Sequence, residues 1–231
     1  MTMGCENLQD IFWVDRLKNY YSTLYRGAIK HDSPDLTRIH TIRRIVGIIR
    51  DCGCNPPNIL DIGSGPQSLV KEFYIAYGKR KEYMDHSFFT MDVADIPREK
   101  LLMNKYGPSN HTRGGALNLP YLNGSFGIVV SNMAIDFLPD EAYREVYRVL
   151  NPGGYAIFSF HHPYLLTSDL DKNDEIKAEF YNYLREANKL FSCKGDIQVK
   201  LKSFGLSALE ITEQADRHLS DKWWEVLARK N

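Results

Sequence analysis

A glycine-rich turn and a later acid are the residues whose types and spacing point most directly to chemistry. The turn, Asp61-Ile62-Gly63-Ser64-Gly65-Pro66, follows a short apolar run. Glycines in such a turn let the backbone approach a ligand closely and direct amide groups at it. Asp92, at the end of the next apolar run, can accept hydrogen bonds from both hydroxyls of a ribose. The two features together predict a ligand that contains adenosine.

The elements that must position these residues alternate between strands and helices. Helical spacing of apolar residues predicts two or three helices over residues 6–50. Apolar runs predict strands at residues 58–62, 87–93, 114–118, 126–131, 155–160 and 206–212, and residues 223–229 fit a last strand or a helix. Further helices are predicted at residues 68–77, 98–105, 139–150, 171–191 and 197–204.

This alternation predicts a doubly wound α/β sheet with the glycine turn between its first strand and first crossover helix. Two adenosine-binding folds fit such a sheet at this point, a dinucleotide dehydrogenase and a methyltransferase.

The composition is that of an ordinary globular protein, with 43% hydrophobic and 25% charged residues in 231. Lysine plus arginine and aspartate plus glutamate both number 29, so the formal net charge is zero and argues mildly against a nucleic-acid partner. The four cysteines lack zinc or disulfide spacing. With neither a signal peptide nor an apolar membrane span in the sequence, we expect a cytoplasmic protein without membrane attachment.

Three ordered motifs resemble the class I S-adenosylmethionine-dependent methyltransferases. They are residues 59–66, Leu119-Pro120-Tyr121-Leu122-Asn123-Gly124-Ser125-Phe126, and Arg148-Val149-Leu150-Asn151-Pro152-Gly153-Gly154. With the strand order they span residues 58–160. The Leu-Pro followed by Ser-Phe is more specific than the glycine turn, and dehydrogenases do not usually carry a Leu-x-Pro-Gly-Gly element before a fifth strand.

The resemblance implies a Rossmann-like methyltransferase fold: a doubly wound, mostly parallel sheet of seven strands, the last one antiparallel. S-adenosylmethionine would lie across the carboxyl ends of the first, second and fourth strands, with S-adenosylhomocysteine as product. In such families the turn at Gly63 and Gly65 passes under the methionine part, Asp92 holds the ribose, and Ala116 and Leu117 flank the adenine. The residues expected to bind the cofactor are Asp61, Gly63, Ser64, Gly65, Asp92, Val93, Ala116, Leu117, Ser131 and Asn132.

Three positions depart from the family pattern. Gln67 replaces the third glycine of the turn, Gly115 stands where an adenine-side acid is often found, and Gly127 replaces a common aspartate. Backbone groups can bind adenine without that acid. A methyltransferase-like subunit without catalytic activity is therefore an alternative.

Candidate general bases follow the fourth and fifth strands, where the acceptor would lie. They are Asp136, His161 and His162. An imidazole titrates near neutral pH, but adjacent residues on a strand point in opposite directions, so at most one histidine is expected to face the acceptor. Because adjacent histidines are poor chelators, we expect no metal site.

The predicted domain organisation is an N-terminal helical cap over residues 1–50 and a methyltransferase domain over residues 51–231. Residues 163–194, which are rich in aromatic side chains, form a helical insertion after the fifth strand and are predicted to be a lid. The expected acceptor is a small molecule, because a neutral chain with a covered pocket suits one better than RNA. An RNA or protein acceptor is the alternative, with basic clusters such as Arg43-Arg44 and Lys79-Arg80-Lys81 available for phosphates.

Overall fold

The computed structural model describes residues 5–26, 35–52, 57–78, 87–102, 109–163, 175–187, 189–215 and 222–231. The helices are α1 Cys5–Arg26, α2 Leu36–Cys52, α3 Ser68–Tyr77, α4 Glu141–Val149, α5 Glu175–Glu186 and α6 Lys194–Ser203. The strands are β1 Ile59–Ile62, β2 Phe88–Asp92, β3 Ser109–Arg113, β4 Phe126–Asn132, β5 Leu150–His161, β6 Leu206–Ala215 and β7 Lys222–Lys230.

The strands of the described residues form one seven-stranded sheet in the order β3-β2-β1-β4-β5-β7-β6. All pairs from β3 through β5 are parallel, whereas β7 runs antiparallel to both β5 and β6. The chain leaves β1 toward β2 and β3 and later returns to β4 on the other side of β1. The doubly wound, mostly parallel sheet is therefore confirmed, and its switch point lies between β1 and β4.

Two apolar cores cover the two faces of the sheet, and alternation along each strand sorts its side chains between them. Ile59 and Ile128 pack with the apolar faces of α2 and α3. Leu60 and Val129 pack with those of α4 and α6. The carboxyl ends of β1, β2 and β4 are thus held in register at one edge of a rigid sheet.

The third strand differs from its predicted position. It covers Ser109–Arg113 rather than residues 114–118, and it pairs with β2 from Phe88 opposite Ser109 onward. The strand is an edge strand of polar residues, so it carries no apolar run. The predicted segment begins instead at Gly114, whose N–H donates to the carbonyl of Asp92 at 2.9 Å and ends the ladder.

The structure decides three further predictions about helices and strands. The segment at residues 223–229 is strand β7, and the predicted helix at residues 98–105 is a 3-10 turn, Arg98–Lys100, with residues 103–105 outside the described part of the chain. The helix predicted over residues 171–191 is shorter in the structure, where α5 covers Glu175–Glu186. Residues 171–174 and 188 lie outside the described part of the chain, and residues 189–191 are not helical.

The division into a cap and a main domain stays a prediction. The helix α2 crosses the expected boundary at residue 50, ends at Cys52, and buries its apolar face against the sheet. Only part of the expected lid at residues 163–194 lies in the described residues, where α5 packs against α1 through Trp13 and Tyr183, whose rings stack at 5.3 Å.

Gly127 provides a test of packing at the start of β4. A Cβ atom there would lie 2.4 Å from the Cβ of Pro57, so we expect Gly127→Ala to destabilise the protein by about 1–3 kcal/mol. Gly47→Ala, in the middle of α2 where no atom lies within 4 Å of the new Cβ, should stabilise it by about 0.5–1 kcal/mol. Urea unfolding measures both, and an unchanged stability of Gly127→Ala would contradict this account.

Candidate functional site

A cavity of about 500 Å³ opens at the carboxyl ends of β1, β2 and β4. It lies at the switch point of the sheet, where doubly wound folds bind their ligands. Its walls come from the glycine turn, the residues after β2 and β4, residues 114–118, and one face of α1 formed by Val14, Leu17, Tyr21 and Tyr25.

The glycine turn is hydrogen-bonded to β2 and packs closely against Ala134. The N–H groups of Gly63 and Ser64 both donate to the carbonyl of Met91, at 2.9 and 3.1 Å. Gly63 and Gly65 have φ angles of 72° and 51°. A Cβ on Gly63 would lie 2.4 Å from that of Ala134. Glycine is therefore required by both the backbone conformation and the close approach.

Asp92 connects the end of β2 to this turn. Its Oδ2 accepts a hydrogen bond from the N–H of Gly65 at 2.8 Å, and its Oδ1 accepts one from the N–H of Ala94 at 2.8 Å. Burial raises the pKa of Asp92, against the opposing effect of these backbone donors. Each oxygen has a second lone pair, so the carboxylate can still accept hydrogen bonds from ligand hydroxyls.

Asp61 is a buried carboxyl group in the cavity wall. It is 2% exposed, and its Oδ2 has no hydrogen-bond partner among the described residues. Burial, followed by the charge of Asp92, raises the pKa of Asp61 to about 8, while the nearby Arg38 acts in the opposite direction. A cationic group of a ligand would supply the partner that this oxygen lacks.

Arg38 and Tyr25 also line the cavity and were not predicted from the sequence. The guanidinium of Arg38 donates to Glu72 at 2.7 Å and to Asp35 at 3.1 Å. The Tyr25 hydroxyl lies 2.8 Å from the position of a Cβ on Gly65. A signal was present: Arg38 shares one helix face with Ile42 and Ile45, and a charge on an apolar face indicates a buried role.

Comparison with known proteins finds similarity to methyltransferases. Residues 60–158 match the sequence model of a family described as "Methyltransferase domain". The malonyl-[acyl-carrier protein] O-methyltransferase of Geobacter sulfurreducens is 24% identical over 226 residues, covering 87% of this chain and 74% of that protein.

Two solved structures have similar folds. The 1,6-didemethyltoxoflavin-N1-methyltransferase of Burkholderia thailandensis, with bound S-adenosylhomocysteine, superposes with a TM-score of 0.63 at 13% identity and covers 100% of this chain and 92% of its own. N-methyltransferase NodS of Bradyrhizobium japonicum WM9 superposes with a TM-score of 0.59 at 13% identity, and the match covers 91% of this chain and 97% of NodS. Residues 60–158 therefore match a methyltransferase domain in sequence, and the two solved methyltransferases share the fold of this chain. Both of these solved structures contain S-adenosylhomocysteine.

The predicted cofactor residues of the methyltransferase domain line the cavity, with the exception of Ser131. The Ser131 hydroxyl is buried and donates to the carbonyl of Ile62 at 3.1 Å. Asn132 lies in the wall and also joins β4 to α2, through hydrogen bonds with Thr37 and Thr41 at 3.0 and 3.2 Å. Cofactor binding by these residues stays a prediction that their placement supports.

Two of the three departures from the methyltransferase pattern, Gln67 and Gly127, have a structural explanation. Gln67 has a φ angle of 71°, and its buried side chain donates to the Thr90 hydroxyl at 2.9 Å instead of lining the cavity. A Cβ on Gly115 would meet no atom within 4 Å. Pro57 occupies the space that a side chain at Gly127 would need.

The candidate bases lie outside the cavity wall. The backbone N–H of His161 and its Nδ1 lie 2.7 and 2.8 Å from Oδ2 of Asp136, and the His161 ring stacks at 4.6 Å on Phe137, which does line the cavity. His162 lies 5.1 Å from the ring of Trp224, and burial lowers the pKa of its imidazole. A catalytic role for Asp136, His161 and His162 stays a prediction.

Within the described residues, no three His, Cys, Asp or Glu side chains come together as metal ligands. Across the same residues, no helix has the length and apolar character needed to cross a membrane.

The raised pKa of Asp61 makes the stability of the unliganded protein depend on pH. Because the folded pKa of about 8 exceeds the unfolded value of about 3.9, the native state binds the extra proton between these values. Its stabilising effect is full below about pH 4 and is lost as the pH rises through about 8. Relative to Asp61→Asn, the wild-type free energy of unfolding should fall with a slope of up to about 1.4 kcal/mol per pH unit.

Urea unfolding of both proteins between pH 5 and 8 measures this slope. Asp51→Asn, at an exposed aspartate of α2, is the matched control. Its free energy of unfolding should change with pH in parallel with that of wild type. Parallel curves for wild type and Asp61→Asn would contradict the raised pKa.

Proposed function

We propose that this chain transfers the methyl group of S-adenosylmethionine to a small-molecule acceptor bound in the cavity beneath α1. One observation carries the proposal: Asp92 and the glycine turn are hydrogen-bonded to each other in the wall of one cavity at the switch point. This pairing places a ribose acceptor beside a backbone that a ligand can approach closely.

The residues divide among the parts of the cofactor. Asp92 accepts hydrogen bonds from the ribose hydroxyls, and the backbone of residues 114–118 contacts the adenine. Gly63 and Gly65 would leave room for the methionine part. Asp61 would hold its ammonium group and Arg38 its carboxylate, since both side chains lie in the same wall and the charge of Arg38 acts on Asp61.

The chemistry is an in-line displacement. Bound S-adenosylmethionine would supply the methyl group: the acceptor's lone pair would form the bond to the methyl carbon as the carbon–sulfur bond breaks and leaves its electron pair on sulfur. The cofactor is already activated, so the protein mainly supplies positioning and the exclusion of water. The face of α1 that covers the cavity excludes water from the reacting atoms.

Three observations support a small acceptor. The cavity holds about 500 Å³, which is in the range of small-molecule sites. The chain has no net charge to attract a nucleic acid. One similar structure is named for a small heterocycle, 1,6-didemethyltoxoflavin, which it holds together with S-adenosylhomocysteine.

Calorimetry with S-adenosylhomocysteine tests the cofactor site. We expect Asp92→Ala to weaken binding by roughly 1–3 kcal/mol, since a charged hydrogen-bond acceptor is lost. Asp51→Ala removes an exposed aspartate outside the cavity and should bind as wild type does. No heat from folded wild-type protein at millimolar ligand would overturn the proposed function.

Proton release gives a second readout, specific to Asp61. At pH 7 this carboxyl is mostly protonated, because its pKa is about 8. A ligand ammonium beside it would lower that pKa, so binding of S-adenosylhomocysteine should release about one proton. Calorimetry in buffers of different ionisation enthalpy measures the release. Asp61→Asn should abolish it, and a wild-type release near zero would remove Asp61 from the methionine site.

A further inference from the structure

The cavity wall formed by α1 and by the residues after β4 is mostly apolar. We use the name acceptor chamber for the part of the cavity that is lined by Val14, Leu17 and Tyr21 of α1 and by Phe137 and Leu138 after β4. Leu17 and Phe137 belong to one buried apolar cluster, against which Tyr21 packs. Tyr25 marks the cofactor end of α1 at Gly65, and Leu17 lies about 12 Å farther along the helix.

The walls of the acceptor chamber are supported from behind. Phe137 stacks on His161 with ring centroids 4.6 Å apart, and His161 is held by Asp136. On the other side, Trp13 of α1 stacks on Tyr183 of α5 at 5.3 Å. The ring of Phe137 therefore gives the acceptor chamber a supported flat, apolar surface, against which a ring compound packs well.

The charges of the cavity lie at its cofactor end. The ionisable carboxyl and guanidinium groups among the described lining residues are Asp35, Asp61, Asp92 and Arg38. Arg38 pairs with Glu72 and Asp35, and in the proposed function it serves the carboxylate of the cofactor at that end. Asp136 accepts from His161 behind the wall, and Arg16 of α1 pairs with Glu179. The acceptor chamber therefore offers no cationic partner from the described residues to an anionic acceptor, whose burial would be strongly unfavourable.

We propose that the acceptor is an uncharged, mainly apolar ring compound with a lone-pair nitrogen as nucleophile, and that the acceptor chamber excludes anionic compounds. This inference rests on the proposed function. A neutral nitrogen uses its lone pair to bond the methyl carbon while sulfur keeps the electrons of the broken bond. The positive charge passes from the sulfonium to the methylated nitrogen, so the step needs no base in the acceptor chamber.

A matched pair of ligands tests the proposal on wild-type protein saturated with S-adenosylhomocysteine. The probes are 1-naphthylamine and 4-amino-1-naphthalenesulfonate, which share their rings and amine and differ by a sulfonate group that carries one negative charge; 4-amino-1-naphthalenesulfonamide, which is uncharged and of nearly the same size, is the control for bulk and should bind more tightly than the sulfonate. S-adenosylhomocysteine lacks the sulfonium charge, so the comparison reports the preference of the protein itself. We expect 1-naphthylamine to bind at least tenfold more tightly. Equal binding of the two probes, stronger binding of the sulfonate, or binding of neither would overturn the proposal.

Variants of α1 locate the binding. Leu17→Gln places an amide in the acceptor chamber and should weaken 1-naphthylamine at least fivefold. Leu24→Gln, at a position 48% exposed on the same helix, should leave it unchanged. An equal effect of both substitutions would place the probe elsewhere and overturn the assignment; if Leu17→Gln does not fold, the wild-type comparison still decides.

Affinity for S-adenosylhomocysteine is measured first on every sample and separates the two hypotheses. If the protein binds S-adenosylhomocysteine but does not prefer 1-naphthylamine over the sulfonate, only the proposed class of acceptor is overturned. Its absence from folded wild-type protein overturns the proposed function and, with it, this inference.

Discussion

Hydrogen bonds that join the glycine turn to Met91 and Asp92 hold the candidate site together. The turn follows β1 and Asp92 ends β2, so the bond from the Gly65 N–H joins two neighbouring strand ends at 2.8 Å. The N–H groups of Gly63 and Ser64 add two bonds to the carbonyl of Met91, one residue before Asp92. The parallel pairing of β1 with β2 thereby fixes the turn before a ligand arrives, and preorganised sites lose less free energy on binding.

The N-terminal helices complete what the sheet begins. The carboxyl edge of a parallel sheet supplies a floor for a ligand, whereas α1 and the start of α2 supply the cover and the charges of Arg38 and Asp35. Asp95 anchors α1 to the loop after β2, through its N–H to the Ser22 hydroxyl and an ion pair with Arg26. The site is therefore assembled from segments far apart in sequence.

The sequence predicted those parts of the fold in which burial leaves a pattern in side-chain type. The strands β1, β4 and β5 and the helix α3 have clear apolar runs or helical spacing, and their positions agree with the structure. The edge strand β3 is polar, and its pairing with β2 depends on backbone groups that side chains do not reveal.

The site itself was predictable where a family motif carries the signal, as at Asp61, Gly63 and Asp92. Tyr25 was not predicted because its role depends on how α1 packs over the sheet, which local patterns do not specify. Arg38 was indicated only by its place on the apolar face of α2, a pattern that shows burial but not the cavity. The explanation of Gln67 required knowing that Thr90 lies beside it on β2. The placement of His161 depended on Asp136 turning toward the end of β5.

The helix α1 contacts both ends of the cavity, with Tyr25 at the glycine turn and Leu17 at the acceptor chamber. A rigid element shared by two ligands makes their affinities interdependent, and thermodynamic linkage requires the dependence to be mutual. If the cofactor stabilises one position of α1, it raises the affinity for an acceptor that fits that position, and the acceptor raises the affinity for the cofactor by the same factor. The helix that covers the reaction would then also make the binding of its two substrates cooperative.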